Sequence, residues 1–360
     1  MPLTRRSFLG VASLGPIGLG SSRVPGATDG SNVVARVEEA DRLIASRMAI
    51  GEITAAAFLV RQGGFEFARA YGTAKIDIPF LIASLTKPMT VSAVVMLRDR
   101  RQLELADPVK RFLPQFKGDG REAITIKHLI THMSGLPDML PENVELRKRH
   151  APLREFVERT CRTGLLFPPG RQVHYQSMGI LLAAAVAEKI TAQPLPELLA
   201  STVFEPLRMT RTSLGLGGRK ISDTAQCQVA EPSDWDWNSA YWRNLAAPWG
   251  GAHSTVHDLA RFIEAFTVPG SVLWPENTRR EMREIQTGSL RPSHGLGWMR
   301  EPGVFGQRCS PATFGHYGST GTVFWHDPES KVTCVLLTTK PAENSRAGLL
   351  GPVSDIIAGG

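Results

Sequence analysis

Ser84 and Lys87 lie three residues apart in the stretch Ile82–Arg100, I-A-S-L-T-K-P-M-T-V-S-A-V-V-M-L-R-D-R. The stretch places Ser84 at the mouth of a helix, where an i, i+3 pair shares one face and the hydroxyl and amine can meet. A serine hydroxyl is a poor nucleophile until something takes its proton. A lysine held near other cations or out of water has its pKa lowered toward that task. The free N–H groups and dipole at a helix start favour negative charge, as on an alkoxide or a tetrahedral oxyanion. Pro88 fits within the first turn, where its missing N–H costs little. Ser-x-x-Lys is short enough to arise by chance, but it occurs only once in this chain.

Two more polar clusters bear on this pair. In P-P-G-R-Q-V-H-Y-Q-S-M-G, Tyr175 and Ser177 are one residue apart in a stretch read as extended, which predicts that both point to one side. A buried tyrosine hydroxyl near a lysine can accept or relay a nucleophile's proton; a tyrosine packed under a helix start is the plainer alternative. In Phe314–Gly321, F-G-H-Y-G-S-T-G, the glycines let the backbone approach a ligand closely. On a strand edge there, the Ser319 N–H can complete an oxyanion hole with that of Ser84. His128 and His132, like His253 and His257, have the H-x-x-x-H spacing of a zinc site. Neither pair has the glutamate of H-E-x-x-H or an evident third ligand, so no metal is expected.

The elements that must position these residues follow from hydrophobic period and turn chemistry. Val33–Ala49 reads as a helix, and Ala55–Arg61 with Phe65–Tyr71 as a hairpin turning at Gln62-Gly63-Gly64. Leu105–Val109 reads as a helix cap with proline in the first turn, and Pro114–Arg121 as an exposed loop. From Ile124 to Thr210 the pattern is helical, in pieces at Ile126–Thr131, Leu153–Cys161, Met178–Ile190 and Pro196–Val203. Strands return at Gly297–Arg300, Thr322–His326 and Val332–Thr338, before a last helix at Ala347–Ala358. The R-K-R-H run at Arg147–His150 reads as a solvated helix face or loop. The tryptophans 235, 237, 242 and 249 either wall an apolar acyl pocket or pack the helical region, and packing is favoured.

With 360 residues and 42% hydrophobic content, the chain can bury one large core or two smaller ones. Its charge of +7 falls to +4 without Arg5, Arg6 and Arg23, and no long basic run argues for nucleic acid. Residues 1–27 carry Thr4-Arg5-Arg6-Ser7-Phe8-Leu9, a Gly-rich, weakly apolar run and a small-residue end. This is a twin-arginine leader, implying a periplasmic or secreted protein. The apolar run is shorter than the ~20 residues of a membrane span, so no stable span is expected in the mature chain. Cys161, Cys227, Cys309 and Cys334 show no C-x-x-C spacing; an oxidising destination permits disulfides without requiring them.

Together these clusters resemble the serine β-lactamase and penicillin-binding-protein-like family, in the branch of class C β-lactamases, D-Ala-D-Ala carboxypeptidases and related esterases. The resemblance runs from about Ala55 onward through six motifs in family order: T-I-K-H-L-I-T-H-M-S-G-L-P-D at Thr125–Asp138, P-P-G through Y-Q-S, F-E-P-L-R-M-T at Phe204–Thr210, W-G-G-A-H-S-T-V-H-D-L-A-R-F from Trp249, H-G-L-G-W at His294–Trp298, and G-H-Y-G-S-T-G. It implies an α/β (α+β) fold, with an antiparallel sheet flanked by helices and a mainly helical second region. Residues 28–113 and 245–360 would form the sheet region and residues 114–244 the helical one. By the same resemblance Ser84 is acylated, Lys87 is its partner and Tyr175 the second acid/base. Ser177 takes the usual asparagine position, and His316 to Gly318 form the third box, with Ser319 beside it. Which of Lys87 and Tyr175 is the base stays open. The class A triplets S-D-N and K-T-G are absent. Ser177 in place of asparagine and His316-Tyr317 in place of Lys-Thr weigh against lactam and carboxylate recognition.

The expectation is an exported serine hydrolase acting through an acyl-enzyme on a small molecule or peptide, without cofactor and with esters favoured. A D-amino-acid peptidase and a class C-like β-lactamase are the alternatives. A non-catalytic sensor on the same fold is the alternative of another class; the intact Ser84, Lys87 and Tyr175 speak against it.

Overall fold

Five strands from the two ends of the chain form one sheet. The computed structural model describes residues 30–359; the leader expected over residues 1–27 lies outside them. Helix α1 (Gly30–Ala49) buries Val33, Val37, Ala40 and Ile44, the stripe its period predicts. The hairpin follows as β1 (Ala55–Gln62) and β2 (Phe65–Gly72), turning through Gly63 at φ +58°. A two-residue strand β3 (Phe80–Leu81) and a 3-10 turn (Ala83–Leu85) lead into α2 (Thr86–Asp99), which is buried continuously from Thr86 to Leu97. A helix covered on every side belongs to the middle of the molecule.

The next stretch is helical: α3 (Ile126–Ile130), α4 (Asn143–Lys148), α5 (Leu153–Thr160), α6 (Ser177–Thr191) and α7 (Leu195–Leu199). Beyond it come β4 (Ser213–Leu214), α8 (Ala240–Asn244), β5 (Ala252–Ser254), α9 (Val256–Glu264) and α10 (Glu276–Arg283). The chain closes with β6 (Phe314–Gly318), β7 (Thr322–Asp327), β8 (Val332–Thr338), α11 (Ala342–Ser345) and α12 (Gly351–Ala358).

The main sheet runs β2-β1-β8-β7-β6, antiparallel throughout. The β1–β8 pairing, from Ala56 opposite Thr338 to Gln62 opposite Val332, zips the two ends of the chain together. Side chains alternate across this sheet. Phe58, Val60, Trp325 and Leu336 join the core beneath α1 and α12, while Leu59, Phe324, Val335 and Leu337 join the core shared with α2, α6 and α9. With both faces covered, the central strands read as nearly continuous apolar runs. A second sheet has the order β3-β5-β4, and its β5 accepts from Ile82 N–H through the Ala252 carbonyl.

Three expectations change. Gly297–Arg300 is not a strand: the Leu296 and Gly297 N–H groups donate to Met282 and Ile130 carbonyls, leaving two isolated bridges, from Met299 to Gly315 and to His294. The cap at Leu105–Val109 opens no long helix. Val109 N–H donates to the Ile124 carbonyl, and only a 3-10 turn at Val109–Arg111 follows. In the Arg147–His150 run Lys148, Arg149 and His150 are exposed as expected, but Arg147, near the end of α4, is half-buried, its guanidinium 4.1 Å from the Trp242 ring centre and 5.1 Å from that of Trp235. Among the described residues no single helix is long and apolar enough to cross a membrane.

Candidate active site

Ser84 sits in the 3-10 turn ahead of α2, and hydrogen bonds on both sides fix that turn. Ala83 adopts φ +46°, a left-handed conformation that costs a non-glycine residue ~1–2 kcal/mol and persists only when its surroundings impose it. Here they do. Ile82 N–H donates to the Ala252 carbonyl at 3.0 Å, and Thr322 Oγ1 donates to the Ile82 carbonyl at 3.0 Å. Thr320 Oγ1 donates to the Leu81 carbonyl at 2.6 Å, and Thr86 Oγ1 to that of Ala83 at 2.7 Å. The turn is thereby tied to β5 on one side and to the β6–β7 hairpin on the other.

Lys87 is fully buried in the first turn of α2. Its Nζ donates to Ser84 Oγ at 2.9 Å and to the Trp249 carbonyl at 3.1 Å. Among the described residues it forms no salt bridge. Burial pushes its pKa from the usual 10.5 down to about 7, while the charge of Asp138 pulls it back up. At neutral pH a large share of Lys87 is therefore unprotonated, with its nitrogen on the serine oxygen.

Tyr175 enters from the irregular segment before α6, and Lys87 Nζ lies 4.6 Å from its ring centre. Burial drives the Tyr175 phenol far above its ordinary value, against an opposing pull from the Ser84 hydroxyl, so it carries its proton throughout the neutral range. Two histidine rings lie against it, His132 at 4.8 Å and His316 at 5.9 Å between centres, and His294 adjoins His132 at 4.8 Å.

His316, in β6, is buried. A carbonyl only accepts, so the 2.6 Å contact with the Tyr317 carbonyl places the proton on His316 Nδ1; its Nε2 has no protein partner among the described residues. Burial first, then the nearby Lys87 charge, push the His316 pKa down to about 3. Gly318 closes this strand onto the Ser84 turn. A Cβ there would come within 2.2 Å of Thr322 Oγ1 and 2.4 Å of the Ile82 carbonyl, so only glycine lets the strand approach. Ser319 follows, its carbonyl accepting from Ala342 N–H at 2.9 Å.

Ser177 differs from the extended reading: it is the first residue of α6 and its hydroxyl is engaged. Both its N–H (2.8 Å) and its Oγ (2.7 Å) donate to Asp138 Oδ1. Asp138 was not among the expected site residues. Neither was His294, and His132 was considered only as a metal ligand. The H-x-x-x-H pairs are in fact divided between tasks. His128 accepts from Thr125 N–H at the start of α3, whereas His132 lies on Tyr175. No cluster of three or more metal-type ligands occurs among the described residues.

Packing, the favoured purpose of the tryptophans, holds for two of the four, and the cleft lined by the other two does not include Ser84. Trp242 and Trp249 are buried and pack edge to face, while Trp235 and Trp237 line an open cleft of about 640 Å³ with Arg147, Gln228 and Lys340. All four cysteines are buried free thiols.

Comparison with known proteins agrees with this geometry. Esterase EstB of Burkholderia gladioli is 27% identical, over 91% of this chain and 94% of its own. Among solved structures, EstCE1, described as a hydrolase with promiscuous acyltransferase activity, superposes with a TM-score of 0.74 at 20% identity, covering 91% of this chain and 99% of its own. A penicillin-binding protein homologue from Caulobacter crescentus gives 0.72 at 20% identity, with 90% and 96% covered. The Beta-lactamase family model matches residues 40–355, and the chain therefore belongs to the β-lactamase family of serine hydrolases.

Proposed function

We propose that this protein is an exported esterase that hydrolyses uncharged esters through an acyl-enzyme on Ser84. The observation that carries the reading is the 2.9 Å contact between Lys87 Nζ and Ser84 Oγ, made by a buried lysine whose pKa lies near 7. Unprotonated Lys87 takes the Ser84 proton as Oγ bonds to the ester carbonyl carbon. Tyr175, still holding its proton, donates it to the departing alkoxide and is restored from Lys87. The Ser84 and Ser319 N–H groups hold the oxyanion. Water then gives one proton back along the same path as its oxygen attacks the acyl carbon, releasing the acid and regenerating the Ser84 hydroxyl.

The charges around the site support an ester without a carboxylate. The Asp138 carboxylate acts on Lys87 from across the site, and His316, in the position expected to meet a carboxylate, is neutral above about pH 3. Ser177 has its hydroxyl committed to Asp138 and offers no amide for a side-chain carbonyl. The leader at Thr4–Leu9 supports export.

The test compares kcat/KM for nitrophenyl butyrate and for a cephalosporin at pH 8, with mass spectrometry of the trapped adduct. The expected result is a butyryl mass on the Ser84 peptide, no turnover by Ser84→Ala, and the ester preferred by at least a hundredfold. A cephalosporin preferred over the ester would overturn the substrate assignment; an active Ser84→Ala would overturn the nucleophile.

A further inference from the structure

The proton path above leaves His132 without a task, yet its backbone and side chain are arranged around Tyr175. His132 follows α3 in a left-handed conformation, φ +62°, uncommon for a residue with a side chain. In that conformation its carbonyl and its ring both face the segment that carries the tyrosine. The carbonyl accepts from His174 N–H at 2.9 Å, and Nδ1 accepts from Gln176 N–H at 3.2 Å. One residue therefore holds the N–H groups of the two residues on either side of Tyr175, His174 and Gln176, while its ring lies 4.8 Å from the phenol ring. Since Nδ1 accepts, the single proton of the neutral ring is on Nε2.

The surrounding bonds favour a rigid clamp. Gln176 Nε2 donates to the His128 carbonyl at 3.3 Å, Ser134 Oγ donates to Gln176 Oε1 at 2.6 Å, and Leu136 N–H donates to Ser134 Oγ at 3.1 Å. Residues 128–136 thus grip residues 174–176 at several points. Tyr175 depends on that grip, because residues 172–176 belong to neither helix nor strand and no ladder fixes them.

We propose that His132 is the positioning residue for Tyr175. Its carbonyl and Nδ1 fix the neighbouring residues His174 and Gln176 through their N–H groups, and its ring limits the tilt of the phenol, keeping the phenol oxygen in reach of Ser84 and Lys87. The proposal rests on the reading of Tyr175 as the proton carrier. A misplacement of about 1 Å can cost roughly a hundredfold in rate, so a single hydrogen bond here acts on kcat rather than on substrate binding.

The experiment uses His132→Phe, which keeps a ring but lacks the acceptor, and His132→Asn, whose Oδ1 stands as many bonds from Cα as Nδ1 does and which tolerates the left-handed conformation. Each is made in the wild-type and in the Tyr175→Phe background, and kcat, KM and Tm are measured with nitrophenyl butyrate. The expected result is a loss of about 10- to 100-fold in kcat for His132→Phe with KM within about twofold, and recovery of most of that loss in His132→Asn. Neither change should lower kcat any further in the Tyr175→Phe background. Equal losses in both backgrounds would overturn the proposal, as would wild-type kcat in His132→Phe or an asparagine variant no better than the phenylalanine one. If His132→Phe does not fold, His132→Ala replaces it with the same expectations. A fully active Tyr175→Phe would refute the proton-carrier role, and this proposal with it, before any His132 variant is compared.

Discussion

At the scale of single residues, the proposed role of Lys87 as base ties activity to the environment of its amine. Below its pKa of about 7 the ammonium cannot accept the Ser84 proton, so kcat/KM should rise with pH through that value and then level. The Asp138 charge favours the ammonium, so Asp138→Asn should move the rising limb to lower pH, whereas an unmoved limb would show that the two groups do not interact. Asparagine still accepts from Ser177, so the head of α6 should survive the change. The same variant should improve carboxylate-bearing substrates roughly tenfold relative to neutral esters, the ~1–2 kcal/mol of one charge a few ångströms away at an effective dielectric of tens. His316 gives the opposite prediction. A histidine at its ordinary 6.5 would attract carboxylates in mild acid, but burial places His316 near 3, so their kcat/KM should not climb between pH 7 and 5. An increase there that His316→Gln abolished would count against this. The sequence made Ser84, Lys87, Tyr175 and His316 visible as types at spacings. It did not show how dry each would be, nor that Asp138, 39 residues before Ser177, would meet it. His132 was visible only as half of a zinc-like pair, because a clamp on the peptides around Tyr175 leaves no spacing rule to read.

At the scale of elements, the site depends on two joints. The first is Gly318, where β6 meets the Ser84 turn. Gly318→Ala puts a carbon against the Ile82 carbonyl, and the expected cost is about 1–3 kcal/mol of stability, read as a lower Tm, with a larger proportional loss of ester turnover. Unchanged turnover would mean that the turn does not need the strand. The second joint is Arg243 in α8, fully buried without a carboxylate. Its guanidinium donates to the Trp237 and Ala225 carbonyls, Thr224 Oγ1 and Asn238 Oδ1, tying the 224–238 loop to the helix. Arg243→Met leaves these acceptors unpaired and should destabilise the chain by roughly 3 kcal/mol or more, measurable by denaturant unfolding. Long periodic elements such as α1, the β1–β2 hairpin and α6 were plain in the sequence. The small β3-β5-β4 sheet was not, since strands of two or three residues are shorter than any period. At Gly297–Arg300 the backbone donors scatter to Ile130, Gly315 and Ser293, partners that a four-residue stretch does not announce.

At the scale of the whole molecule, the sheet separates two cores, and its register is set by the alternation that sends Phe58 to one side and Leu59 to the other. That β strands lie at both ends of the chain was readable from composition and period. That β1 pairs with β8 was implied only by the family resemblance, because residues nearly 280 positions apart leave no local trace of their partnership. The pairing bears on synthesis. The turn holding Ser84 is secured by Thr320 and Thr322, and β1 by a strand that ends at Thr338. A nascent chain that has already released α2 and α6 from the ribosome therefore still lacks the contacts that shape the Ser84 turn. Such long-range closure comes late in folding, because the entropy of the loop is lost before its contacts form. A chain cut after Asp327 should thus show no labelling by a serine-directed phosphonate, even where its helices form. On this account the proposed activity would switch on only when β8 has paired with β1, so a ribosome paused before Thr338 has emerged would hold an unreactive chain.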